Sequence, residues 1–204
     1  MKKNSFFIYL ISSIMIGVLI YFVIFGGFTA KKDDVKEQEI INEIEEYGYV
    51  LHDTEPQIYI DLFTELETEL AKEELDEEVY ANLISKLFII DFYNLDSKTT
   101  KNDVGGVQYI ATSFKDDFTS LAKTTIYKHL ESNLYGERTT DLPIVIEIEI
   151  DSTEITSYSY GEEIDEAAYE ITLTWGYKKD LGYETSATVI IIHEEDKLVI
   201  AEMD

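Results

Sequence analysis

Three kinds of hydrophobic spacing follow one another along the chain. The first is a solid block: from Phe6 to Phe25 the run FFIYLISSIMIGVLIYFVIF holds no charge and no proline. A helix of that length rises about 30 Å, the thickness of a bilayer's hydrocarbon core, and satisfies its own backbone polar groups there. The apolar stretch exceeds the roughly 7–15 residues of a signal-peptide core, and bulky Phe28 stands where cleavage after Ala30 wants a small residue. Residues 1–30 are therefore expected to be an uncleaved transmembrane anchor, embedded in the lipid bilayer through residues 6–25. Lys2 and Lys3 precede the span and Lys31, Lys32 and Lys36 follow it, so flanking charge is nearly balanced. The short N-terminal tail favours a single-pass protein of the bacterial cell membrane with its domain outside the cytoplasm.

The second spacing is helical. Residues 31–48 begin KKDDVKEQEIINEIEEY, with Ile40, Ile41 and Ile44 in a narrow apolar stripe among charges, and read as a helical stalk. Gly48 breaks the pattern. Thr54, Pro56 and Gln57 mark a first helix carrying Ile58, Leu62, Leu66 and Leu70. Asp76 caps a second, whose inner face is Val79, Tyr80, Leu83, Ile84 and Leu87. The β-branched and aromatic run LFIIDFY, a polar stretch, Gly105-Gly106 and VQYI suggest a two-strand hairpin. A third helix is expected from Thr112 or Ser113 to Gly136, with Phe114, Phe118, Leu121, Ile126, Leu130 and Leu134 on one face.

From Pro143 the period changes to two. Ile144, Ile146, Ile148 and Ile150 alternate with Val145, Glu147, Glu149 and Asp151, the pattern of a half-buried strand. TEITSYSYG, AAYEITLTWGYKK, YETSATVIIIHE and KLVIAEM give four more, the last turned by His193–Asp196. The fold class is then α+β: an N-terminal transmembrane helix, then helices packed on a curved antiparallel β-sheet. Helix-on-sheet packing predicts Phe118, Leu121 and Leu130 of the third helix buried against Ile146, Ile148, Leu173 and Trp175, with Glu147 and Glu149 pointing away.

This order of helices, short hairpin, third helix and long sheet strands resembles the nuclear-transport-factor-2-like, or cone, fold over residues 49–204. Gly176 and Gly182 would let such a sheet bend. With a single N-terminal span, the layout also resembles the bitopic assembly factors of bacterial type IV secretion and conjugation machines, which are scaffolds without catalysis. FIIDFYNLDSKTTKNDVGGVQYI together with KTTIYKHLESNLYG is similar to small anchored proteins of low-GC Gram-positive bacteria.

Charge narrows the partners. All 42 acidic residues lie beyond residue 30, against 14 Lys and Arg there, so that part carries 14 − 42 = −28. Such a field repels phosphate backbones, which excludes nucleic acid as a partner of the domain and leaves cations or basic proteins open. Absence of cysteine removes thiol chemistry, disulfides and lipoprotein attachment. His52, His129 and His193 lie too far apart for the tight spacings of zinc sites, and NLDSKTTKNDVGG lacks the calcium-loop pattern, so no metal and no cofactor is expected.

The sharpest candidate for chemistry is Asp91, set among large apolar residues where a carboxylate is partly desolvated. His129 and Tyr59 are the side chains expected to meet it in a cone-fold pocket. On a strand, Asp91 would instead face solvent. Trp175, Tyr169 and Tyr177 fit either packing under the helices or a binding surface. Tyr158, Tyr160 and Tyr183 are the protein-binding candidates. No catalytic motif is present. Two functions follow: a membrane-anchored, non-catalytic envelope protein that binds or assembles other proteins, and a cone-fold ligand-binding protein or enzyme centred on Asp91 and His129.

Overall fold

The computed structural model describes residues 38–161 and 163–204. The expected membrane anchor and most of the charged start of the stalk lie outside these residues. Among the described residues, no helix is long and apolar enough to cross a membrane. Three helices pack on a curved antiparallel sheet, so the α+β expectation holds for this part of the chain.

The chain enters as a hairpin, β1 (Ile40–Ile44) against β2 (Tyr49–His52). This corrects the helical stalk for its second half. The isoleucine spacing suited a helix, but Gly48 takes φ of 63° and turns the chain back. Asn42 of β1 donates to Glu67 of the following helix at 3.2 Å, and Ile40 and Ile41 stay exposed. On β2, Tyr49 and Leu51 enter the core.

Helix α1 (Gln57–Leu70) starts where proline suggested, but without a side-chain cap; Gln57 bonds forward to Asp61. Helix α2 (Glu77–Tyr93) is capped as expected, the Asp76 carboxylate accepting from the Val79 N–H at 3.2 Å. It runs through LFIIDFY, which is therefore helix and not strand. A short apolar run reads equally well as either, and here its burial on every side decides. Leu87, Phe88, Ile89, Ile90, Phe92 and Tyr93 are all buried. α2 lies against β3, β4 and β6 on one side and α1 on another. VQYI is a short 3₁₀ turn, Val107–Tyr109, after which Ile110 bridges to Ile200.

Helix α3 spans only Lys115–Thr124, shorter than the pattern suggested. Thr124 and Thr125 bond back to the carbonyls of Ser120 and Leu121, and Thr125 leaves the helical region with ψ of −98°. Its Phe118 packs on Phe88 and Phe92 of α2, with ring centroids 5.8 and 5.2 Å apart. Leu121 is 63 % exposed. The helix covering the sheet is thus α2, not the third helix.

The sheet order is β3 (Val145–Tyr160), β4 (Glu163–Tyr177), β5 (Ser186–Glu194) and β6 (Lys197–Met203), all antiparallel. Two expected strands merge into the 16-residue β3, because Asp151 makes a bulge and not a turn. Another bulge, between Val145 and Glu147, leaves Ile146 exposed against expectation, while Ile148 and Ile150 keep the inner side and Glu147 and Glu149 stay outside. A Cβ on Gly176 would lie 2.2 Å from Glu147 Oε1, so this glycine admits a close approach across the strands. Ile171, Leu173 and Trp175 of β4 meet Val189 and Ile191 of β5 in the core. Glu195, with φ of 57°, forms the tight turn into β6.

Leu173 is fully buried, so Leu173→Ala is expected to cost about 2–5 kcal/mol in urea unfolding. Leu121→Ala should fall within about 0.5 kcal/mol. Equal losses at the two positions would place α3, not α2, on the sheet.

Candidate functional site

At the end of α2 the chain makes a 3₁₀ turn, Leu95–Ser97, and doubles back. The turn carries Lys98 inward until its side chain is 3 % exposed. Its ammonium pairs with Asp91 Oδ1 and stands 3.8 Å from Glu55 Oε1, just ahead of α1. Asp91 Oδ2 accepts the Gly106 N–H at 2.6 Å. A Cβ on Gly105 would sit 2.0 Å from the Asp91 carbonyl oxygen, so glycine is required there. The Gly105 N–H donates to the Tyr127 hydroxyl at 3.1 Å, which donates to the Phe92 carbonyl at 2.7 Å. Asp103 accepts from the Thr99 N–H and hydroxyl. The stretch KTTKNDVGG is thus a loop clamped to the last turn of α2 by one buried lysine and two glycines.

Beside this clamp, Tyr59 is buried, its hydroxyl 2.5 Å from that of Tyr109 and accepting from Gln108 Nε2 at 2.9 Å. Burial pushes both phenols well above the ordinary tyrosine range. A polar crevice of about 160 Å³ opens between His52, Glu55, Asp91, Lys98, Asp103 and Gln108. His52 Nδ1 and Glu55 Oε2 are buried there without a hydrogen-bond partner among the described residues. Burial, with Asp91 and Asp103 adding to it, outweighs the pull of Lys98 and raises Glu55 to about 7. Burial opposes the Lys98 charge, but Asp91 and Glu55 outweigh it and hold Lys98 above the ordinary lysine range.

This arrangement disposes Asp91 poorly for proton abstraction. Both carboxylate oxygens are engaged, one by an ammonium and one by a backbone N–H. Lys98 stays charged and is no nucleophile. His129, the expected partner, is exposed in the turns after α3 and does not reach Asp91. Two residues earlier, Tyr127 supplies the buried contact. Asp91 and Tyr59 therefore share one region without touching, and His129 is absent from it. The sequence reading missed Glu55, Lys98 and Tyr127. Gly105-Gly106 was visible, as a turn, but its contact with Asp91 was not.

The tyrosine candidates separate. Tyr158 and Tyr160 stack with centroids 6.4 Å apart and lie on the outer sheet face, over Ala168, Ile192 and Val199. Tyr158 donates to Glu202 Oε2 at 2.9 Å. Tyr183 lies near the opposite end of the β3–β4 hairpin, packed on Tyr177. Trp175 and Tyr169 are buried under the helices. Trp175 Nε1 donates to the Tyr177 hydroxyl at 2.8 Å, fixing that end of β4 beside Tyr93.

Two surface features remain. An apolar pocket of about 250 Å³ separates α3 from β6, lined by Phe88, Phe92, Phe118, Ile110, Ile200 and Met203 among others. And β3 is a sheet edge, hydrogen-bonded to β4 on one side and to no strand on the other among the described residues. Among those residues, no group of three or more His, Asp or Glu side chains is placed to hold a metal ion. Comparison with family models, with curated proteins and with solved structures finds no match to the chain.

Lys98→Met leaves the buried Asp91 carboxylate without its counter-charge and is expected to cost about 3–5 kcal/mol at neutral pH, read from denaturant midpoints. Glu55 carries the pH dependence. Its folded-state pKa lies above its ordinary 4.5, so the folded state holds the extra proton between about pH 4.5 and 7. The stability Glu55 contributes is full below pH 4.5 and is lost as pH rises through 7. The difference between wild type and Glu55→Gln should therefore shift toward the variant from pH 5 to pH 8. A difference independent of pH would show that Glu55 ionises normally.

Proposed function

We propose that the protein is a single-pass, membrane-anchored and non-catalytic component of the bacterial cell envelope that binds other proteins through its sheet. The observation that carries this reading is the long free edge of β3. Among the described residues the sixteen-residue strand is hydrogen-bonded to a neighbouring strand on one side only, and Ile146 and Ile155 stand 52 % and 71 % exposed along it. Unpaired strand edges with exposed apolar side chains are recognition surfaces for other chains. The internal engagement of both Asp91 oxygens supports the non-catalytic part. The apolar run at residues 6–25 supports the anchor, and the −28 charge argues against nucleic acid. The order of helices followed by a long antiparallel sheet in residues 57–204 supports a cone-fold reading of the domain.

A second reading rests on the apolar pocket. A cone-fold binder of a small apolar ligand would use Phe88, Phe92 and Phe118 there, rather than a centre at Asp91 and His129.

A C-terminal reporter fusion active only outside the cytoplasm is expected to place the domain on the outer side of the membrane; activity inside reverses the orientation. Crosslinking in intact membranes is expected to join the chain to a second, defined protein. Recovery as an isolated monomer in every growth state would remove the interaction role and leave the pocket as the functional feature.

A further inference from the structure

The outer face of β3 is acidic and carries no cation. Glu147, Glu149 and Glu154 are all exposed, and among the sixteen residues of the strand there is no Lys or Arg. Glu154 stands directly opposite Glu170 of β4, also exposed. Like charges facing each other across a strand pair destabilise it, so this position costs the isolated sheet something that a cation would return. The opposite side of the same strand is apolar or half-buried. Ile148 and Ile150 face the core, and Thr153 bonds Asn82 of α2 at 2.7 Å. Two residues on, Ile155 passes beyond the cover of α2. One helical turn before Asn82, Val79 is also uncovered, at 39 %.

Resting on the interaction role proposed above, we infer that the β3 edge, chiefly Glu147–Ile150 and Ser152–Thr156 between its bulges, receives an extended segment of a basic partner protein. The segment alternates Lys or Arg with apolar residues. Its backbone continues the ladder past β3. Its cations lie on the outer face against Glu149 and Glu154, and its apolar side chains cover Ile155 and Val79. A period of two is what places all cations on one face and all apolar groups on the other. A second copy of this chain does not fit: two β3 edges side by side would bring Glu147, Glu149, Asp151 and Glu154 against one another with no cation between them.

The probe is a fluorescein-labelled peptide of alternating lysine and valine, roughly ten residues long to span the edge, titrated at physiological salt against the full chain in detergent. Saturable binding is expected. Hydrogen exchange should slow at backbone amides within Glu147–Thr156. Glu149→Lys with Glu154→Lys should weaken binding at least tenfold, and both positions are exposed, so the unfolding midpoint checks that the variant still folds. A peptide of the same charge with alternate backbone nitrogens methylated should also lose at least tenfold, since it presents no N–H groups to the ladder. Equal binding of the methylated peptide, or unchanged affinity of the double variant, overturns the strand-addition proposal, as does a lack of any binding. Membrane crosslinking to a defined protein alongside such a failure would leave the interaction role standing and dismiss only the basic strand.

Discussion

The fold depends on one constraint: the C-terminal half of helix α2, Leu87–Tyr93, is buried on every side and must be covered all round. A helix with a single apolar stripe needs one neighbour. α2 takes the sheet through Ile171, Leu173 and Val189, α1 through Phe63 and Leu66, and α3 through Phe118. The remaining side, at its C-terminal turn, is closed by the loop that follows it. Each neighbour is thereby fixed in place by the same helix, and removal of any one exposes a different strip of the same core.

That last side is the unusual one, because Asp91 lies on it. A carboxylate so placed requires a counter-charge, and the chain supplies Lys98 from its own next turn. The cost of desolvating both groups is offset by their pairing, by the Gly106 N–H and by the nearby Glu55. Burial, with Asp91 and Asp103 adding to it, outweighs the pull of Lys98 and raises Glu55 to about 7, while Asp91 and Glu55 hold Lys98 charged. The cluster behaves as a clamp for the loop, with the crevice as its by-product.

The surface is governed by charge. An excess of 28 negative charges beyond residue 30 keeps copies of the domain apart and weakens the pairing of strand edges between them. β3 shows both protective devices at once, bulges and outward carboxylates, yet keeps Ile155 uncovered at its inner side. On the proposal above, an edge shielded against its own kind by charge is open to a partner of the opposite sign.

By itself the sequence determined the apolar segment at its start, the α+β class, the Asp76 cap, the β4 core positions and the turn at Glu195, because each follows from local period or local turn chemistry. LFIIDFY was ambiguous in the sequence, since a run buried on all sides has no period; only the packing of α2 between sheet and helices made it helical. The same holds for Ile40–Ile44, where the turn at Gly48 and pairing with Tyr49–His52 overrode helical spacing. Leu121 kept its place in the helical pattern but lost its burial, because α2 had already taken the sheet. The candidate site was legible only at Asp91, Tyr59 and the paired glycines. Glu55, Lys98 and Tyr127 lie 36 residues before, 7 after and 36 after Asp91, and no spacing in the chain announces that they meet. Long-range approach of charges is decided by tertiary structure alone, because a buried ion requires a partner from wherever the fold can deliver one.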